Sequence, residues 1–289
     1  MRLSKSIGKT PMIRISDRIF AKAELMNPTG SIKDRPASFI INEAERNGDL
    51  KPGDTIIEAT SGNMGVSFAW LAAERGYKCI IVMPSNMSEE RKKTLSYYGA
   101  KLVEVDPGDF DSAIRLRDKM AIEEGYFNCN QFSNPLNIES HRRTTATEII
   151  DFFNTTEFFP TAFISGTGTG GTLMGAGRRL KEKYPILKIL AVEPDESPVM
   201  SGGQPGLHGI QGIGDGSKFL VDMNHVDSVI RISTKEAIDS AKRIAREYGL
   251  FVGISAGANV LAAERWCEKN PGTVVTFLCD RGDRYYSCL

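Results

Sequence analysis

Short apolar runs alternate with helix-length segments along most of this chain, and this alternation limits the fold more than any other feature. Segments such as "MGVSFAWLAAERG" and "KEAIDSAKRIAREYG" have the length and spacing of helices, and several of them end at glycine. Between them lie six runs that we predict to be buried strands, at 54–60, 78–84, 100–106, 161–167, 188–194 and 273–280. This order predicts an α/β fold with parallel sheets, in which ligand sites lie at the carboxyl ends of the strands.

The length of 289 residues suits one large or two medium domains. Two domains that share a cleft are the starting hypothesis. The segment "NQFSNPLNIESH" (130–141) interrupts the alternation, so it is the predicted crossing between the two halves.

Charge and targeting signals exclude several classes of function. Lys plus Arg and Asp plus Glu both number 36, so no net charge attracts nucleic acid or an anionic membrane. The first residues lack the apolar core of a signal peptide, and no apolar run is long enough to cross a bilayer. These features predict a cytoplasmic protein with neither nucleic-acid nor membrane partners.

A metal site is not expected from the pattern of cysteine and histidine. The five cysteines are scattered and form no C-x-x-C pair, and the three histidines lie far apart. The same scatter argues against a disulfide framework.

Three glycine-rich or small polar loops follow predicted strands. The loop "SGTGTGGT" (165–172) offers many backbone N–H groups at the start of a helix, as an anion site requires. It also matches G-x-G-x-x-G, with Glu193 at about the expected distance, so phosphate monoester, dinucleotide and tight turn stay open. The loop "ATSGNMG" (59–65) suits a carboxylate or a simple helix cap, and "GIQGIGDG" (209–216) carries one carboxylate, Asp215.

A lysine stands in a tight polar turn, "NPTGSIKDR" (27–35), directly before a helical pattern. A lysine amine forms a Schiff base with an aldehyde, and pyridoxal 5′-phosphate needs both a lysine and a phosphate-binding loop. Lys33 together with the loops above therefore predicts this cofactor.

The motifs "NPTGSIKDR", "TSGNMG", "NQFSNP", "GTGTGGTLMG", "GIQGIG", "GISAGAN" and "CDRGDRY" occur in one order along nearly the whole chain. In that order they resemble the O-acetylserine sulfhydrylase (cysteine synthase) family of fold type II pyridoxal-phosphate enzymes, which are similar to the tryptophan synthase β-subunit. The resemblance implies two domains, each with a largely parallel twisted sheet flanked by helices, and a cofactor in the cleft between them. The implied boundaries are 34–140 for a smaller, movable domain with the TSGN loop, and 9–33 plus 141–289 for a larger domain with the phosphate loop.

The resemblance also implies roles for individual residues. Lys33 matches the Schiff-base lysine, Asn63 the partner of the ring hydroxyl, and Cys279, at the end of the last predicted strand, the neutral partner of the pyridine nitrogen. The implied phosphate-binding residues are Gly168, Thr169, Gly170, Gly171 and Thr172, which displaces the dinucleotide interpretation and leaves Glu193 a structural role. The implied substrate-binding residues are Thr60, Ser61, Gly62, Met64, Gln131 and Gly212.

The implied reaction is a β-replacement through an α-aminoacrylate, with Lys33 as the general base. O-acetylserine plus sulfide to L-cysteine is the leading hypothesis. Asp215 stands where close relatives commonly have alanine, and as a second catalytic residue it would activate water, giving a hydrolytic cysteine desulfhydrase that releases serine and hydrogen sulfide. A lanthionine- or cystathionine-forming β-synthase is another alternative, and a dinucleotide-binding module is the alternative from a different class. The resemblance further implies a homodimer and a possible serine acetyltransferase C-terminal tail as partner.

Overall fold

A computed structural model describes residues 2–60 and 62–288 of the chain. By the density of internal contacts it divides into two compact units, Met1–Ile7 with Lys33–Leu136, and Gly8–Ile32 with Asn137–Leu289. The sequence-based domain boundaries differ from these by a few residues, since they placed Lys33 in the larger domain and 137–140 in the smaller one.

The secondary-structure elements follow the predicted alternation. The strands are β1 (Met12–Arg14), β2 (Ile19–Lys22), β3 (Thr55–Ala59), β4 (Lys78–Pro84), β5 (Lys101–Val105), β6 (Phe127–Asn128), β7 (Pro160–Gly166), β8 (Lys188–Pro194), β9 (Ser228–Ile232) and β10 (Thr273–Phe277). The helices are α1 (Asp34–Asn47), α2 (Asn63–Arg75), α3 (Glu89–Tyr97), α4 (Phe110–Glu124), α5 (Pro135–Ser140), α6 (Ala146–Asn154), α7 (Gly171–Lys183), α8 (Thr234–Tyr248) and α9 (Ile254–Lys269). A π-helical segment, His141–Thr145, joins α5 to α6.

The first unit contains a four-stranded sheet in the order β5-β4-β3-β6, and every pairing in it is parallel. Neighbouring residues of β3 point to opposite faces, and both faces are buried. Ile56 packs with Ile40 and Phe68 on one side, whereas Ile57 packs with Val82 and Ala113 on the other. A sheet covered on both faces explains why its strands read as continuous apolar runs.

The second unit contains a six-stranded sheet in the order β1-β2-β10-β7-β8-β9, and only the β1–β2 pairing is antiparallel. Its central strand β7 is also buried on both faces, with Ile164 in one apolar cluster and Phe163 in another. The predicted α/β class with two largely parallel sheets is therefore confirmed.

Two aspects of the predicted strands need correction. β1, β2, β6 and β9 were missed, because they are short or lie at sheet edges. The last strand was predicted to reach residue 280 but ends at Phe277. Leu278 N still donates to Lys22 O of β2, but Cys279 O accepts from Ile32 N, which lies outside the sheet.

Among the described residues, no helix combines the length and the apolar character that crossing a membrane would demand.

Candidate active site

Lys33 lies immediately before α1 in the first unit and is half-buried. Its carbonyl accepts a hydrogen bond from Ala37 N at 3.1 Å, so the lysine is held by the first turn of the helix. The next residue, Asp34, is fully buried, and its Oδ1 accepts from Ser67 Oγ of α2 at 2.6 Å. This bond fixes the start of α1 against the helix that follows the TSGN loop.

The TSGN loop connects β3 to α2. Thr60 is buried, its N–H donates to Val82 O at 3.0 Å, and its Oγ1 accepts from Gly62 N at 3.2 Å. Helix α2 begins at Asn63 after Gly62, a residue with no side chain to serve as a cap. Because the first N–H groups of a helix have no partner within the helix, such a loop can bind a carboxylate.

Two predicted residues of this loop need comment. Ser61 lies outside the described residues. Met64 is buried in the apolar core of the first unit, so its side chain is a packing residue and its backbone N–H is the group available to the site.

Gln131 lies beside the start of the TSGN loop. The side chain is buried, and Nε2 donates to Ala59 O at 3.3 Å, directly before Thr60. The structure thus brings two predicted carboxylate-binding residues, Thr60 and Gln131, together at the carboxyl end of β3.

A buried ion pair supports Gln131, and the sequence analysis missed it. Glu58 Oε1 accepts from Arg117 Nη1 at 2.8 Å, and Glu58 Oε2 accepts from Gln131 N at 2.9 Å. The side chains of both charged residues are almost fully buried. Burial raises the pKa of the Glu58 carboxyl, although Arg117 and the backbone N–H groups of Gln131 and Ala59 oppose that rise. A carboxylate in an otherwise apolar buried strand was the available sequence signal.

The glycine-rich loop of the second unit connects β7 to α7. Helix α7 begins at Gly171, and Gly170 before it has a φ of 87° and provides no side-chain cap. Thr169 is buried and Thr172 is half-buried. Ser233 and Glu236 form a complete capping box on α8, whereas α1, α3 and α9 resemble α7 in having no side-chain cap from the N-cap residue. The missing cap therefore does not distinguish α7 from the other helices.

The residues behind this loop were also missed. Asn137 Nδ2 donates to Thr169 Oγ1 at 3.0 Å, and His141 Nε2 lies 3.2 Å from Thr172 Oγ1. The close approach requires glycine on α7, because a Cβ on Gly171 would lie 2.0 Å from Asn137 Oδ1 and one on Gly175 would lie 2.2 Å from Ile138 O. Two glycines four residues apart on one helix were the sequence signal for this packing.

Asp215 lies next to the glycine-rich loop. The residue is exposed, and its Oδ2 would be 3.3 Å from a Cβ built on Gly168. Gly212 of the same segment is even closer, with its carbonyl oxygen 2.5 Å from that Cβ position. The structure therefore places both predicted residues of "GIQGIGDG" beside the predicted phosphate loop.

Cys279 is half-buried in the second unit and contacts a side chain that the sequence analysis did not identify. Asn259 Nδ2 donates to Cys279 Sγ at 3.3 Å and to Phe277 O at 3.2 Å, while Asn259 Oδ1 accepts from Gly166 N at 2.7 Å. Asn259 thus links the carboxyl ends of β7 and β10.

Two other charged groups have structural partners. Glu193 is buried and accepts from Met200 N at 2.7 Å and Ser201 N at 3.1 Å, so it holds a turn. The buried Lys22 is an alternative candidate for the lysine that reacts with an aldehyde, but its amine is ion-paired with Glu148 at 2.8 Å. Such pairing keeps an amine charged, and a charged amine is not a nucleophile. Within residues 2–60 and 62–288, no three His, Cys, Asp or Glu side chains are grouped as a metal site would need.

Comparison with known proteins identifies the relatives of this chain. The family described as "Pyridoxal-phosphate dependent enzyme" matches residues 3–280. A cysteine synthase of Staphylococcus aureus is 42% identical over 299 residues, which cover 99% of this chain and 95% of that protein.

Solved structures agree with this relationship. The crystal structure of an O-ureido-L-serine synthase has a TM-score of 0.94 at 38% identity and covers 100% of this chain and 94% of its own. That of a hydrogen sulfide-producing enzyme from Fusobacterium nucleatum has a TM-score of 0.95 at 37% identity and covers 99% and 90%.

Proposed function

Because the chain belongs to the pyridoxal-phosphate dependent enzymes, we propose that it forms L-cysteine from O-acetylserine and sulfide by β-replacement. The observation that carries this proposal is the placement of Thr60 and Gln131 at one strand end, just before α2 begins at Asn63. This is a site for the carboxylate of an amino acid. The full-length likeness to a cysteine synthase supports the choice of substrate.

The donor set of the second unit suits the phosphate of the cofactor. Thr169 and Thr172 offer hydroxyl groups at the start of α7, whose first N–H groups point in the same direction, and such a set suits a dianion. We assign the phosphate to residues 168–172, the ring hydroxyl to Asn63 and the ring nitrogen to Cys279. When bound, pyridoxal phosphate supplies an electron sink for the charge that develops at the substrate α-carbon.

The residues of the chain have separate tasks in this reaction. Lys33 holds the cofactor aldehyde and, once its amine is displaced, removes the α-proton through Nζ. The substrate carboxylate is assigned to Thr60, Ser61, Gly62, Gln131 and the N–H of Met64. Gly212 is assigned to the substrate as well, on the family resemblance alone. Cys279 is a neutral group, so it does not hold the ring nitrogen protonated, and this favours loss of the β-substituent over racemisation.

A second candidate function rests on Asp215. Its exposed carboxylate beside Gly168 is a base that could activate water, which would convert L-cysteine to serine and sulfide. A structural neighbour is named as a hydrogen sulfide-producing enzyme. The same negative charge opposes a phosphate leaving group, so O-phosphoserine is a poor substrate in either case.

The deciding experiment follows two reactions of the purified holoenzyme. One contains O-acetylserine and sulfide, the other L-cysteine alone, and the products measured are cysteine, sulfide and serine. Cysteine synthesis should have the higher kcat/KM, and Asp215→Asn should change it little. Sulfide and serine formed in equal amounts at a higher kcat/KM, and lost in Asp215→Asn but not in the exposed control Asp222→Asn, would establish the desulfhydrase instead.

Assembly and location are also part of the proposal. The family resemblance supports a cytoplasmic homodimer that accepts the C-terminal tail of a serine acetyltransferase as a carboxylate-bearing ligand. Sedimentation equilibrium tests the dimer. Competition between a peptide ending in that carboxylate and O-acetylserine tests the second partner.

A further inference from the structure

His141 is buried in the second unit, and both of its ring nitrogens contact hydroxyl groups. Nδ1 lies 2.9 Å from Thr145 Oγ1, and Nε2 lies 3.2 Å from Thr172 Oγ1, on the loop assigned to the phosphate. His141 and Thr145 are the first and last residues of the π-helical segment, in which Ala146 N donates to His141 O. Polar contacts thus connect Thr145 through the His141 ring to Thr172.

Which atom donates in each of these two hydrogen bonds decides whether Thr172 offers an anion a proton or a lone pair. A neutral imidazole has one N–H donor and one acceptor nitrogen. If Nε2 accepts, the Thr172 hydroxyl gives its proton to the ring and turns a lone pair toward the anion. If Nε2 donates, the Thr172 oxygen accepts from the ring and its own proton stays available to the anion.

Two other groups, Thr169 and Cys279, accept from a side-chain N–H group, as Thr172 does when Nε2 donates. Thr169 Oγ1 accepts from Asn137 Nδ2 at 3.0 Å and from Gly171 N at 3.4 Å, so its proton points elsewhere. Cys279 Sγ accepts from Asn259 Nδ2 at 3.3 Å in the same way. In each case a neutral N–H group lies behind a hydroxyl or thiol and leaves the proton of that group for a ligand.

We propose that Thr145 is a positioning residue for the phosphate loop: its hydroxyl donates to His141 Nδ1, which fixes the Nε2–H tautomer and directs the Thr172 proton toward the phosphate. This inference deepens the proposed function, since it rests on residues 168–172 binding the cofactor phosphate. It does not depend on which substrate the enzyme uses.

The test measures the ring tautomer and cofactor affinity rather than turnover. The ¹⁵N shifts of the histidine rings are recorded in the full-length holoenzyme, where the chain has three histidines and single substitutions at His208 and His225 complete the assignment. We expect His141 to carry its proton on Nε2. A proton on Nδ1, or on both nitrogens, would overturn the proposal, because Thr145 would then accept instead of donate.

Thr145→Val removes the hydroxyl with little change of shape and has a matched control in Thr144→Val. Thr144 lies in the same π-helical segment, but its hydroxyl donates to Ser140 O at 2.7 Å and does not contact His141. Thr145→Val should raise the dissociation constant of pyridoxal phosphate about tenfold, the size of one hydrogen bond, while Thr144→Val leaves it unchanged. Equal constants for the two variants would overturn the proposal.

A second pair of variants covers the case in which Thr145→Val fails to fold. In His141→Gln the side-chain N–H₂ can reach the position of Nε2, whereas the shorter amide of His141→Asn cannot. Cofactor affinity should therefore be close to wild type in His141→Gln and weaker in His141→Asn. Equal loss in both would show that only the volume of the ring matters and would overturn the proposal. Since these measurements need no turnover, their failure is distinct from a wrong assignment of substrate.

Discussion

The two anion loops of this protein are built alike but supported differently. In each, a parallel strand ends, a short polar loop follows, and a helix begins after a glycine without a side-chain cap. Behind the TSGN loop stands a buried charge pair, Glu58 and Arg117. The groups behind the glycine-rich loop are amides and an imidazole, those of Asn137, Asn259 and His141.

The difference matches what each loop is proposed to bind. Neutral N–H donors suit the proposed phosphate loop, because they hold its threonine and backbone without adding negative charge. Glu58 is tolerated behind the TSGN loop because Arg117 compensates its negative charge. Its other carboxylate oxygen accepts from Gln131 N and so fixes that backbone. The cost is the desolvation of two ions, which makes the support of the first unit fragile to the loss of either partner.

Arg117→Met gives the largest expected effect. It leaves the Glu58 carboxylate buried without a countercharge, and breaking a buried pair in this way costs about 3–5 kcal/mol of unfolding free energy. Urea unfolding of the holoenzyme measures the loss. Arg115→Met, an exposed position on the same helix, is the matched control and should change stability little.

The double variant Glu58→Gln with Arg117→Met sharpens the same test. Removing both charges should recover most of the stability that the single variant loses. Its KM for O-acetylserine should nevertheless be higher than that of wild type, because an amide oxygen at position 58 is a weaker acceptor for Gln131 N than the carboxylate. A double variant as unstable as Arg117→Met would show that packing rather than charge explains the loss.

Gly171→Ala should have the next largest effect. It disturbs Asn137, one of the neutral side chains behind the glycine-rich loop. The added methyl group would lie 2.0 Å from Asn137 Oδ1, so Asn137 must leave Thr169. Overpacking of this kind costs about 1–3 kcal/mol, and if all of this cost is expressed in the bound state, cofactor binding becomes roughly 5- to 150-fold weaker. Absorbance titration of the apoenzyme with pyridoxal phosphate measures it.

Gly62→Ala is the counterpart in the other loop. Apart from its two chain neighbours, no atom in the described part of the chain lies within 4 Å of its added Cβ, so cofactor affinity should stay within about twofold of wild type. If Gly62→Ala and Gly171→Ala weakened cofactor binding equally, the contrast between the two loops would be wrong.

The smallest expected effect is a dependence of stability on pH. Burial raises the folded-state pKa of Glu58 above its ordinary value of 4.5. A carboxyl with a raised folded pKa contributes most stability below its unfolded pKa and loses that contribution as pH rises through the folded pKa. The stability of wild type relative to the double variant should therefore fall as the pH rises above about 4.5. Urea midpoints of both proteins at increasing pH test this, and a difference that grows in favour of wild type would contradict it.

Local patterns were enough to propose candidate ligand-binding groups, but not to find the side chains that hydrogen-bond behind them. Lys33, Thr60 and the loop at 168–172 lie in short motifs whose turn and helix-start residues indicate their use. Arg117 lies 59 residues from Glu58, and Asn259 lies 93 residues from Gly166. Such contacts depend on strand order, and β9 and the short β6, which help to set that order, gave little sequence signal.

The most direct test of the central claim is to locate the lysine that carries the cofactor. The holoenzyme is reduced with borohydride, digested, and its peptides are sequenced by mass spectrometry. The pyridoxyl group should be found on Lys33, and Lys33→Ala should lose both the label and turnover. Attachment at another lysine, such as the buried Lys22, or full turnover in Lys33→Ala would contradict the assignment of this site.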